Sequence, residues 1–137
     1  MKIGIASSMQ NVERMLSLKD ELNALGHEAF VSPLIVTYAG KKGDEIEETK
    51  LYNKNHRDAI RVFWHEMQGL DALLVLNLDK NGIANYIGGN TLMEMGFAHV
   101  LNQKIFLYNP VPEISFYKTE IEAMKPTIIN GDLSKIV

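Results

Sequence analysis

Asp71-Ala72-Leu73-Leu74-Val75-Leu76-Asn77 holds five consecutive apolar residues between two polar ones. A strand covered on one face alternates apolar with polar residues. An unbroken apolar run of this length is how a strand buried on both faces reads, the usual condition of a strand inside a parallel sheet. Working outward, comparable runs stand at Ile3 to Ala6, Ile105 to Tyr108 and Thr127 to Ile129, with a weaker one at Glu28 to Val31. Between them apolar residues recur at helical spacing: Val12, Met15, Leu16 and Leu22, then Ile60, Phe63, Trp64 and Met67, then Met93, Phe97 and Val100. A short helix is expected around Tyr117 to Ala123.

This alternation of strand and helix predicts an α/β chain. Right-handed crossovers between parallel strands give a three-layer, doubly wound (Rossmann-like, flavodoxin-like) domain with a five-stranded parallel sheet in the order 2-1-3-4-5. A chain of 137 residues fits one such domain, spanning 1-137, and can bury about two-thirds of the surface its unfolded form exposes. The formal charge of -3 provides no basic excess for nucleic acid. Without cysteine the chain has no disulfide, thiolate metal site or cysteine nucleophile, which accords with a cytoplasmic location. Met1 and Lys2 lead straight into Ile3-Gly4-Ile5-Ala6, and no apolar run approaches 18 residues, so neither secretion nor a membrane is expected. No cluster of His and carboxylates suggests a metal, and no cofactor is expected.

In a doubly wound sheet, ligands bind beyond the carboxyl ends of the strands where the strand order reverses, here between the first and third. That rule nominates Ser7 and Ser8, Asn77 and Asp79, Gly88, Gly89, Asn90, Thr91 and Glu94, and Asn109. Ser7-Ser8 leads into a helix, so a serine can cap it while free backbone N–H groups face a phosphate or ribose hydroxyl; a cap alone also explains both serines. Neither G-x-G-x-x-G nor G-x-x-x-x-G-K-[ST] is present, which removes dinucleotide-fingerprint binding and P-loop phosphoryl transfer. A phospho-accepting receiver lacks its acids, because Ser7-Ser8 and Asn77 stand in their places. A flavin carrier lacks its phosphate loop after the first strand.

Thr91-x-x-Glu94 has two readings. As a capping box, Glu94 folds back onto the amide of the helix cap; as a functional group, it stands in the first turn of a helix that starts at the crevice. Two further stretches fall outside the alternation: Pro33 to about Lys50, read as a solvated loop leading into a helix or as a mobile lid, and Asp79 to Asn90, rich in Asn and Gly.

Asp71-Ala-Leu-Leu-Val-Leu-Asn, the glycine-containing loop and Thr91-Leu-Met-Glu94-Met-Gly96 together resemble the nucleoside 2-deoxyribosyltransferase superfamily, which includes nucleoside 5'-monophosphate N-glycosidases. The likeness covers about 26 residues, Asp71 to Gly96, and outside them is mainly the order of elements. The family motif G-T-x-x-E-x-G implies that Glu94 is the nucleophile, with Thr91 and Gly96 as the matching flanks. Asn90 replaces the motif's first glycine. An acidic residue that assists the nucleobase often stands where this chain has Gly88, and Asp79 is then the expected substitute. The resemblance thus implies cleavage or transfer of the N-glycosidic bond of a nucleoside or nucleoside 5'-monophosphate; the alternative is a nucleotide-binding sensor or partner-binding domain without chemistry. A homodimer or higher homo-oligomer is also expected, since Met93, Met95, Phe97 and Val100 put apolar groups on more than one face of their helix, with Tyr86, Phe116 and Tyr117 as candidate interface aromatics.

Overall fold

A computed structural model describes residues 1–137. In chain order the strands are β1 (Lys2–Ser7), β2 (Glu28–Phe30), β3 (Ala72–Leu76), β4 (Lys104–Leu107) and β5 (Thr127–Ile128). The helices are α1 (Val12–Ala24), α2 (Pro33–Val36), α3 (Asp44–His56), α4 (Ala59–Met67), α5 (Gly89–Val100) and α6 (Lys118–Ala123), with 3₁₀ turns at Met9–Asn11 and Leu133–Lys135. All strand pairs are parallel and the sheet order is β2-β1-β3-β4-β5, the flavodoxin-like arrangement expected from the apolar runs.

β3 is the centre of this sheet, in register with β1 from Ala72 opposite Ile3 to Leu76 opposite Ser7, and with β4 from Ala72 opposite Lys104. Its side chains divide between two cores. Ala72, Leu74 and Leu76 join the core filled by Met15, Leu18 and Leu22 of α1. Leu73 and Val75 join the opposite core, with Met95 and Ala98 of α5 and Ile121 of α6. The two-residue period of a strand and two apolar layers together require the unbroken run.

The Pro33-to-Lys50 segment is more ordered than either reading of it. Ser32 caps the short α2, its hydroxyl accepting from the Leu34 N–H, with Pro33 at the first helical position. α3 begins at Asp44, six residues earlier than the end of the supposed loop. The chemistry of its ends explains this: Gly43 takes a positive φ of 57° that a side chain would oppose, Asp44, Glu45 and Glu47 occupy the positive end of the helix, and Lys54 and His56 the negative end. These contributions were hidden because α3 has only a weak apolar stripe.

At the carboxyl edge, polar side chains lock the strands together. The Ser7 hydroxyl donates to the Leu76 carbonyl (2.6 Å) and accepts from Asn11 Nδ2 (3.0 Å). Asn77, with no exposed surface, donates through Nδ2 to the carbonyls of Asn109 and Pro110 (both 3.0 Å) and accepts the Asn109 N–H (2.8 Å). Asn109 Nδ2 returns a bond to the Asn77 carbonyl (3.0 Å). Both donors of Asn77 and its acceptor are therefore engaged inside the frame. Asn77→Ala is expected to cost about 3 kcal/mol, because the Asn109 N–H and two carbonyls lose their partner in a dry place. Asn77→Asp should be no better despite its shape, since a carboxylate would face two carbonyl oxygens. Urea unfolding of the three proteins measures this; an aspartate variant as stable as the parent would overturn the assignment.

Candidate functional site

The cleft follows from where the crossovers go. α1 leaves β1 toward one face of the sheet and α5 follows β3 on the other, so the ends of β1 and β3 open between them. α3 and α4 roof this opening. Three connected compartments result, with Met9 in the wall of all three.

The first compartment, about 380 Å³, lies between β1, β2 and α4. Its wall is mostly apolar, including Ile5, Phe30, Ile35 and Phe63, yet it contains two carboxyl side chains, Glu66 of α4 and Glu94 of α5. The second, about 400 Å³, shares Glu94, Phe63 and Met9 and extends along Tyr38, Ile60, Met93 and Phe97. The third, about 550 Å³, is polar, lined by Ser8, Lys50, Lys54, Lys80 and the Gly88-to-Thr91 turn. Glu94 thus borders two apolar compartments, while Asn90 joins the second to the third.

α5 sets the position of Glu94. Gly88, in extended conformation, is the residue before the helix, and no side chain caps it. Gly89, Asn90 and Thr91 are then the first three helical residues, so Glu94 falls in the second turn, not the first, and neither half of a capping box forms. Thr91 is buried instead of capping. Removal from water pushes the Glu94 carboxyl up to about 8, and the charge of Glu66 adds to the rise. Glu66 is raised too, by burial, with the Ser32 hydroxyl opposing.

Other nominated residues fall elsewhere. Asp79 is exposed, lines none of the three compartments, and accepts the Asn85 N–H (2.9 Å), holding its own loop. The carboxyl beside Glu94 is Glu66, four turns of chain logic away from the motif but one helix face away in space, as Glu66 follows Phe63 on α4 toward the sheet. Ser7, Asn77 and Asn109 are engaged in the frame described above, so the side chains of these three hold strands. Ser8 precedes the 3₁₀ turn without capping it through its side chain. Its hydroxyl accepts from Lys80 Nζ (2.8 Å).

Lys80, Lys50 and Lys54 were not nominated from sequence. Lys80 carried a local signal, since Lys80-Asn81-Gly82-Ile83 reads as a two-residue turn. Asn81 and Gly82 take φ of 51° and 75°, and Lys80 and Ile83 exchange both backbone bonds (3.0 and 2.9 Å). Lys50 and Lys54 stand one turn apart on a helix that gave little pattern. Comparison of the chain with family models, with curated proteins and with solved structures finds no match.

The raised Glu94 has a consequence for stability. A folded carboxyl that holds its proton more tightly than the unfolded one favours folding less and less as pH rises from the ordinary value of 4.5 toward about 8. Glu94→Gln removes that penalty. Its stability advantage over the parent should therefore widen between pH 5 and 8, by up to about 1.4 kcal/mol per pH unit, and level off above. Urea midpoints across this range test it; an advantage that does not change with pH would show that Glu94 is not held away from water.

Proposed function

We propose that the protein cleaves or transfers the N-glycosidic bond of a nucleoside or nucleotide, with Glu94 as nucleophile and Glu66 as its proton partner. The observation that carries this reading is a pair of carboxyl groups in one apolar compartment at the strand-order switch, beside a polar compartment. The resemblance of Asp71 to Gly96 to the nucleoside 2-deoxyribosyltransferase superfamily supports it independently.

At neutral pH the pair holds one proton between two carboxyls, and in the free protein it resides mainly on Glu94. The reaction needs it on Glu66. As positive charge develops on the sugar, ionised Glu94 is favoured beside it and the proton passes to Glu66. The bond from the anomeric carbon to the base then breaks, the base keeping the electron pair and taking the Glu66 proton. Glu94 forms an ester to the anomeric carbon. Glu66, now a carboxylate, takes a proton from water or from an acceptor base, whose attack releases Glu94. The pair ends with one proton, as it began.

Chromatography of free base after incubation with nucleosides and their 5'-monophosphates is the primary test, and adding an acceptor base separates transfer from hydrolysis. Glu94→Gln should abolish release while leaving binding nearly intact. A 2-fluoro sugar analogue should leave its glycosyl mass on the peptide that contains Glu94. Since the active pair carries one proton, kcat/KM should fall above about pH 8 as that proton is lost. Glu66→Gln should slow poor leaving groups roughly 10²–10⁴-fold but a nitrophenyl glycoside far less, whereas Asp79→Asn should change neither. Tight ligand binding with no base release from any of these compounds would overturn the catalytic reading in favour of a nucleotide-binding sensor.

We propose further that the working form is a homodimer joined through the outer faces of α4 and α5. Ile60 (41 % exposed), Met93 (38 %) and Val100 (77 %) leave an apolar surface there, with Trp64 and Phe97 packed edge to face between the helices (5.2 Å). Met95 is not part of it, being fully buried against the sheet. Light scattering across concentrations should give twice the 15.4 kDa chain mass, and a fully active species at 15.4 kDa would overturn this.

A further inference from the structure

The polar compartment has a composition that neither the carboxyl pair nor the fold requires. Lys50 and Lys54 enter from α3, and Lys80 from the loop after β3, with no carboxylate anywhere in the wall. Lys50 also reaches Glu47 at 3.3 Å, outside that wall. Lys50 and Lys80 are both partly buried, and each ammonium raises the cost of charging the other; burial together with Lys50 lowers the affinity of Lys80 for its proton. Lys80 is nonetheless held in place, by its bond to Ser8 and by the tight Asn81-Gly82 turn.

The start of α5 adds donors to the same wall. Its first backbone bond inside the helix runs from the Leu92 N–H to the Gly88 carbonyl (2.9 Å), so the amides of Gly89, Asn90 and Thr91 have no acceptor in the protein. A side chain carbon at Gly89 would meet nothing within 4 Å, which leaves that amide open to a ligand. Three ammonium groups from two elements and three free amides thus face one cavity. A single carboxylate has two oxygens to offer them; a phosphomonoester has three terminal oxygens and about two negative charges.

We propose that this compartment binds a phosphomonoester through Lys50, Lys54, Lys80 and the amino end of α5. Resting on the glycosidic reading, the ligand is a nucleoside 5'-phosphate: its phosphate lies among the lysines and its sugar passes Asn90 to reach Glu94. The lysines then select phosphorylated over free nucleosides, and they place the anomeric carbon at the carboxyl pair. The sugar 5-phosphate left after base release fits the same compartment and should compete with substrate.

Calorimetric titration of the whole protein with inorganic phosphate, a nucleoside and its 5'-monophosphate tests the site without any turnover. The monophosphate should bind at least about tenfold more tightly than the nucleoside, and inorganic phosphate should displace it. Lys54→Ala, at an exposed position safe for folding, and Lys80→Ala should each weaken the monophosphate about tenfold and leave the nucleoside unchanged. Modification of Lys80 by an amine-directed acylating reagent, read by peptide mass, should be slowed by inorganic phosphate. Equal affinity for nucleoside and monophosphate, unaltered by either lysine variant, would overturn the proposal. The two readings fail separately: phosphate binding that depends on the lysines without base release sinks only the chemistry, while release from nucleosides that ignores the lysines sinks only the phosphate site.

Discussion

The structure depends on one constraint: β3 is covered on both faces and hydrogen-bonded along both edges, so everything polar near its ends must find a partner or a route to water. Ser7 closes on the Leu76 carbonyl, and Asn77 and Asn109 close on one another. These bonds hold the carboxyl edge of the sheet without help from solvent. They also remove from the site three side chains that stand where a ligand would be expected. The groups left facing the cleft are those the frame does not use: Ser8 with Lys80, the two lysines of α3, the first amides of α5, and two carboxyls.

Those remaining groups are sorted by charge. Cations and amide donors gather in the polar compartment, and both acids lie in an apolar one, with Glu94 and Asn90 near the junction. The separation matters because a lysine in contact with Glu94 would pair with it and hold it ionised. Kept apart from the lysines and close to Glu66, Glu94 is pushed in the opposite direction, to about 8. An acid so placed can keep or release a proton near neutrality, which is the property that proton-transfer chemistry requires.

The element that contributes most to this division is α3, whose helical form was not anticipated. Gly43 and the acidic first turn start it early enough for Lys50 and Lys54 to reach the cleft on successive turns. Its anchor is Asn53, buried and donating to the hydroxyls of Thr37 (3.2 Å) and Tyr38 (3.3 Å). A helix held by one polar anchor and by its own end charges shows almost no apolar periodicity.

Composition and periodicity by themselves determined the layers, the parallel sheet, its order and the edge at which a cleft opens, because apolar runs and helical spacing are local properties that burial on two faces imposes residue by residue. They also singled out Glu94, through its place in a helix that begins at that edge. Which polar residues face the cleft was decided only by the tertiary structure. Asp79 is near the motif in sequence and points to its own loop, whereas Glu66, 28 residues before Glu94 by numbering, shares its compartment. Likewise Ser7 and Ser8 are neighbours with different duties, one closing the sheet and one receiving Lys80. Such partnerships depend on distances between elements set by crossovers and packing, and no local pattern in the chain encodes them.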